Sequence, residues 1–170
     1  LWNTGAAIDS VIVTSTQRIS VLVEDAAGCQ GKDTLEVVVN ANPTVTMRDS
    51  SICIGDAAVV FDAGAGYSYN WSSNGNPVGN NQTLSTDTNG TYQVIIEDSN
   101  TCKDTTSVAL TVNTLPTVSL ADASICPGSS TTFDAGAGFT YLWQDGSTNQ
   151  TYTSTVAEQV RILITDGNLC

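Results

Sequence analysis

The sequence predicts an all-β protein built from small β-sandwiches repeated in tandem, and three observations carry that prediction. Apolar residues alternate with a period of two in short segments such as 91–96 and 106–112, which are rich in β-branched residues. Clusters of Gly, Asn, Asp and Ser bound those segments, and no stretch shows a helical stripe. The third observation is internal repetition. "FDAGAGYSYNW" at 61–71 returns as "FDAGAGFTYLW" at 133–143, identical at eight of eleven positions.

The repeat extends beyond that stretch. Trp71 and Trp143 stand 72 positions apart, as do Asp62 and Asp134, while Cys53 and Cys126, Cys29 and Cys102, and Pro43 and Pro116 are 73 apart. Trp2 precedes Trp71 by 69, and Cys102 precedes Cys170 by 68, because the middle copy is longer after its tryptophan. There "SSNGNPVGNNQT" stands where the third copy has "QDGSTNQT", and an insertion rich in Gly, Asn and Pro reads as a surface loop. Residues 44–115 form one complete repeat of about 72 residues, 1–43 the C-terminal part of a truncated one, and 116–170 a repeat lacking its last strand. A copy without its edge strands exposes unpaired backbone, so the array is expected to continue in both directions.

Within the complete copy the elements follow in order. "TVTMRDSSICIGD" is the first strand and its turn, and "AAVVFDAGAG" the second strand and its glycine connection. "YSYNW" is the third strand, with Tyr69 and Trp71 two apart and therefore on one face. "QTLSTDTNG", "TYQVIIEDSNTC" and "KDTTSVALTVN" complete the unit. A tryptophan in the third strand occupies the core position of immunoglobulin-like sandwiches, so Trp2, Trp71 and Trp143 are assigned to the structural core rather than to a sugar-stacking platform. The fold class is thus tandem immunoglobulin-like β-sandwich repeats arranged as a rod. The linkers "VNANPTV" and "VNTLPTV" are too short and proline-restrained for flexible tethers.

"DAGAG" also invites a reading as a phosphate cradle. That chemistry needs a helix N-terminus after the glycines, and here a strand follows with no Lys or Arg nearby. The glycines instead supply positive φ in a turn, which Asp62 and Asp134 can cap.

Charge and composition exclude further classes. A formal charge of −12 and a pI near 4.1 oppose nucleic acid and anionic membrane surfaces. No apolar run is long enough to span a bilayer as a helix. The chain has no His, so a cysteine nucleophile lacks its usual base and a zinc site its usual ligands. Carboxylates alone, without a visible cleft, do not make an enzyme, and no cofactor is expected. Glu24 and Asp25, Glu97 and Asp98, and Asp166 end the penultimate strand of each copy, close to where Asp62 and Asp134 lie. Asp62, Glu97, Asp98, Asp134 and Asp166 are therefore candidate Ca²⁺ ligands, although no loop has the contiguous D-x-[DN]-x-[DN]-G pattern and solvated acidic turns are the competing reading.

The cysteines occupy two recurring positions, Cys53 and Cys126 in "ICIG"/"ICPG", and Cys29, Cys102 and Cys170 at the end of the penultimate strand's turn. Disulfides in an oxidising compartment fit this pattern, and a unit this small gains from them. Two connectivities stay open. Pairing within a repeat joins Cys53 to Cys102 and Cys126 to Cys170. Pairing across repeats joins Cys53 to Cys170 and is favoured, because the two positions of one sandwich lie at opposite ends, about 20 Å apart for a six-residue strand.

"ICPGSSTTFDAGAGFTYLWQDGSTNQTYT" with "TDGNLC", and "GTYQVIIEDSNTCKDTTSVALTVN", resemble the tandem immunoglobulin/PKD-like repeats of very large Bacteroidetes surface proteins. These include gliding-motility-associated adhesins exported by type IX secretion. The resemblance covers essentially the whole chain. It implies a structural stalk or filament segment of a secreted cell-surface adhesin, partnered by neighbouring repeats and by other copies if the chain forms a fibre. The same repeats flank secreted enzymes, so a carbohydrate-binding or spacer module of a polysaccharide-degrading enzyme is the alternative. One departure stands out: Tyr92, at a position resembling a tyrosine corner, is Ile19 in the first copy and Val160 in the third.

Non-reducing peptide mapping separates the two connectivities. A Cys53–Cys170 peptide is expected, and a Cys53–Cys102 peptide would refute the cross-repeat pairing.

Overall fold

The computed structural model describes residues 1–7 and 9–170. Its thirteen strands run in chain order as β1 (Gln17–Glu24), β2 (Gln30–Val37), β3 (Ser50–Cys53), β4 (Val59–Asp62), β5 (Ser68–Ser73), β6 (Asn76–Gly79), β7 (Thr83–Thr86), β8 (Gly90–Glu97), β9 (Lys103–Asn113), β10 (Thr131–Asp134), β11 (Thr140–Trp143), β12 (Thr151–Ser154) and β13 (Ile162–Thr165).

The middle unit is a two-layer sandwich. One layer is a five-stranded sheet in the order β3-β9-β8-β5-β6, and the other pairs β4 with β7. Alternation sends Trp71 from β5, Tyr92, Val94 and Ile96 from β8, and Val108 and Leu110 from β9 to the same interior as Phe61, Ala63 and Leu84 from the other layer. Trp71, Val94 and Ile96 are fully buried. The Trp71 indole N–H donates to the Asn81 carbonyl at 2.9 Å, so its one polar group is satisfied. Tyr92 lies against Phe61, and its hydroxyl donates to the Thr88 carbonyl at 2.8 Å and meets Thr86 Oγ1 at 2.8 Å. That is the geometry of a tyrosine corner.

The flanking units reuse the same pairings. Trp71 stands opposite Val94, Trp143 opposite Ile162, and Trp2 bridges Val21. In the third unit β10 pairs with β12, and β11 with β13. Trp143 is buried, donates from its indole to the Asn149 carbonyl at 2.8 Å, and stacks on Tyr152. Tyr152 and Ser154 both donate to Glu158, so a polar cluster stands where the middle unit has its tyrosine corner. The first unit contributes β1 paired with β2, with Ile19 buried and Leu35 exposed.

Two local readings of the sequence need correction. The insertion "SSNGNPVGNN" is not simply a surface loop: it makes β6, an edge strand folded back on β5. Asn74 and Gly75 both have positive φ, the requirement of a tight hairpin, and Pro77 is tolerated because the strand is at the sheet edge. The first strand is shorter than "TVTMRDSSIC" suggested. Only Ser50–Cys53 pairs, in parallel with β9, while Asp104 Oδ2 accepts from the Val45 N–H and Asp49 Oδ1 from the Ala109 N–H. The matching stretch 117–126 forms no strand, because residues 116–170 contain no counterpart of β9 for it to pair with.

Tyr92→Phe removes a buried hydroxyl from two partners. It is expected to lower unfolding stability by about 1 kcal/mol, read from the urea midpoint of the middle unit.

Candidate functional site

The residues singled out by the sequence gather at the ends of the units. In the middle unit, Val45 is tied to Asp104 at the start of β9, so the chain arrives where the β8–β9 turn lies. Ser68, the first residue of β5, stands opposite Glu97, which brings the DAGAG turn to this same leading end. Cys53 pairs with Asn113, the last residue of β9, and therefore lies at the trailing end beside the linker.

The DAGAG turn is held by side chains the motif itself supplies. Asp62 Oδ1 accepts from the Gly64 N–H and from Gln82 Nε2, both at 2.9 Å, and the Tyr69 hydroxyl donates to the Gly64 carbonyl. The third unit repeats this with Asp134, Gly136, Gln150 and Tyr141. Gly64 and Gly66 have positive φ, and a Cβ on either would meet no atom within 4 Å. These glycines therefore answer a backbone conformation, with no protein atom crowding them. The Gln82 hydrogen bond, then that of Gly64, holds the Asp62 carboxyl below its ordinary pKa; Gln150 and Gly136 do the same for Asp134.

Sequence reasoning missed the partner of that aspartate. "NQT" recurs at 81–83 and 149–151. Its Asn carbonyl receives the tryptophan indole, its Gln side chain caps the aspartate, and the Gln carbonyl accepts from Ala63 or Ala135. The recurrence of the tripeptide was the available signal.

The turns that carry cysteines are equally regular. Asp25, Asp98 and Asp166 each accept at Oδ1 from two backbone N–H groups, the second being that of Cys29, Cys102 or Cys170 at 2.9–3.0 Å. The Cys170 N–H is the first cause of the lowered pKa of Asp166, followed by hydrogen bonds from Asn168. Glu97 forms an ion pair with Lys103 at 3.1 Å. The proposed Ca²⁺ ligands Asp62, Glu97, Asp98, Asp134 and Asp166 thus each serve a turn or an ion pair. Among the described residues no three His, Cys, Asp or Glu side chains converge as a metal site would require.

Cys53 and Cys170 are bonded, with Cα atoms 5.5 Å apart, while Cys29, Cys102 and Cys126 carry free thiols. The bond present thus joins two units, rather than linking Cys53 to Cys102 or Cys126 to Cys170. Cys102 precedes β9 and Cys53 faces its end, about 35 Å away at the usual rise of a strand. A disulfide spans less than about 7 Å between Cα atoms.

No protein-family model matches the chain, and no curated protein does. The chain is similar to a chain of the crystal structure of Dpr2 Ig1-Ig2 in complex with DIP-Theta Ig1-Ig3, at 13% identity and a TM-score of 0.37, covering 81% of this chain and 61% of that one. It is also similar to the N-terminal four Ig domains of Dscam1 isoform 6.9, at 8% identity and a TM-score of 0.33, covering 89% of this chain and 51% of that one. The chain spans about half to three fifths of those two chains. Its own sheets and core establish the all-β sandwich independently of these distant likenesses.

The depressed aspartates make stability depend on acid. Each contributes stability that is present above the ordinary aspartate pKa and is lost as pH falls through the lowered folded value. The urea midpoint is expected to hold from neutrality to about pH 4 and then fall. Asp62→Asn, which keeps an accepting oxygen without the charge, should flatten that fall; an unchanged acid profile would remove Asp62 from the account.

Proposed function

We propose that this chain is a structural stalk or filament segment of a large secreted cell-surface adhesin, extending it from the cell. The observation that carries this reading is the Cys53–Cys170 bond, which ties the trailing end of one sandwich to the leading end of the next. A covalent tie beside a short linker with Pro116 restricts hinge motion. A rod that transmits reach or force needs that restriction, whereas a binding domain on a tether does not. Disulfide bonding favours an extracellular location, and no helix among the described residues is long and apolar enough to cross a membrane.

On this reading the modules divide at 1–43, 44–115 and 116–170, and their partners are neighbouring repeats of the same chain, with other copies in a filament. The resemblance to Bacteroidetes surface repeats supports adhesion or gliding motility as the setting and type IX secretion as the export route. A carbohydrate-binding module would use exposed, coplanar aromatics, and Trp71 and Trp143 are both in the interior.

Antibodies against residues 44–115 are expected to label intact producing cells, with the label standing off the cell surface in electron micrographs. Labelling only after permeabilisation would overturn the proposal.

A further inference from the structure

We propose that Cys29, Cys102 and Cys126 are open halves of the bridge formed by Cys53 and Cys170, and that the partner of each is another module of this same kind. The rule is directional: the trailing-end cysteine of one module bonds the leading-end cysteine of the module stacked on it. The inference rests on the stalk reading and gives it a chemical mechanism.

Each free cysteine shares the backbone turn of one of the bonded ones, although Cys126 lacks the strand pairing that Cys53 has with β9. At the trailing end, the Cys53 carbonyl accepts from the Asp56 N–H at 3.0 Å, and the Cys126 carbonyl from the Ser129 N–H at 3.0 Å. At the leading end, Cys170 exchanges two hydrogen bonds with Asp166: its N–H donates to Oδ1 and its carbonyl accepts from the Asp166 N–H. Cys102 makes the same pair with Asp98, and Cys29 with Asp25. Strand direction confirms the ends. β1, β8 and β13 each run into the leading-end turn that carries Cys29, Cys102 or Cys170, while β4 and β10 start at the trailing end, just after Cys53 and Cys126. The Cys53–Cys170 bond shows that a trailing-end cysteine reaches a leading-end one when two modules adjoin.

Cys29 and Cys126 are exposed. Set end to end, two copies of this chain bring the third unit of one against the first unit of the other, which places Cys126 beside Cys29 of the second copy. In the 170-residue chain by itself, residues 1–43 offer Cys102 no trailing-end cysteine, so it serves as the internal control. Oxidised glutathione suffices as oxidant. The Cys126 thiolate attacks its disulfide and releases one glutathione thiolate. The Cys29 thiolate of the second copy then attacks the Cys126 sulfur and releases the other. Two thiol protons pass to the released thiolates, and glutathione disulfide is reduced by two electrons to two glutathione molecules.

The test incubates the 170-residue chain at high concentration in a glutathione redox buffer, followed by non-reducing electrophoresis and peptide mapping. The expected result is a ladder of linked multimers containing Cys126–Cys29 peptides, with Cys102 still open to alkylation. Cys126→Ser should abolish the ladder and Cys102→Ser should leave it intact; Cys29→Ser gives a second loss that does not depend on the Cys126 variant. Cys126–Cys126 and Cys29–Cys29 links at comparable abundance, or a Cys126 that stays alkylatable, would overturn the directional rule. If Cys53–Cys170 is present in those failures, the stalk reading survives them. If that bond is itself missing, both fall.

Discussion

In the second and third units the buried tryptophan is the contact on which the rest of the unit depends, whereas Trp2 of the first unit is only half-buried. Trp71 stands in β5 opposite Val94 of β8, inside the five-stranded sheet, yet its indole N–H reaches the Asn81 carbonyl just before β7 of the other layer. One side chain thereby fills the interior and ties the two layers together. Trp143 does the same between Ile162 and Asn149. Because "NQT" must come to the tryptophan, its glutamine arrives beside Asp62 or Asp134 and its carbonyl extends the pairing of the second layer. The glycine turn is therefore a consequence of the core.

The unit tolerates variation where that constraint is absent. The middle unit closes one corner with Tyr92, Thr86 and Thr88, and the third closes it with Tyr152, Ser154 and Glu158. Ser154 and Glu158 bond each other in place of the tyrosine hydroxyl, and Tyr152 stacks on Trp143. Both arrangements satisfy polar groups beside the core, which is the requirement, while the residues that satisfy them differ. Loss of the tyrosine corner at Val160 thus leaves the tryptophan contact unchanged.

Carboxylates explain the acidic character without a ligand. Asp25, Asp98 and Asp166 gather the N–H groups of the turns that end in cysteine, while Asp62 and Asp134 cap the glycine turns. Few positive charges oppose them, since the whole chain carries five Lys and Arg against seventeen Asp and Glu. On the stalk reading proposed above, stacked modules would therefore repel one another electrostatically. A covalent bridge at each junction would hold them against that repulsion.

The amino-acid pattern by itself determined the strand character, the buried positions of Trp71 and Trp143 and the turn aspartates. Each of these follows from local periodicity or from residue types whose preference is local. It did not determine that Asn74-Gly75 folds the insertion into an edge strand, because composition read as a loop and the hairpin needs β5 to fold against. Nor did it determine that Gln82 and Gln150 cap aspartates sixteen to twenty positions away, a contact that exists only once two layers are packed. The cysteine pairing was narrowed by sequence to two connectivities, with Cys53–Cys170 favoured on disulfide reach, and the tertiary structure holds that bond. Cys102 is nearer along the chain, 49 positions from Cys53 against 117 for Cys170, but the parallel direction of β3 along β9 sets Cys53 and Cys102 at opposite ends of that strand.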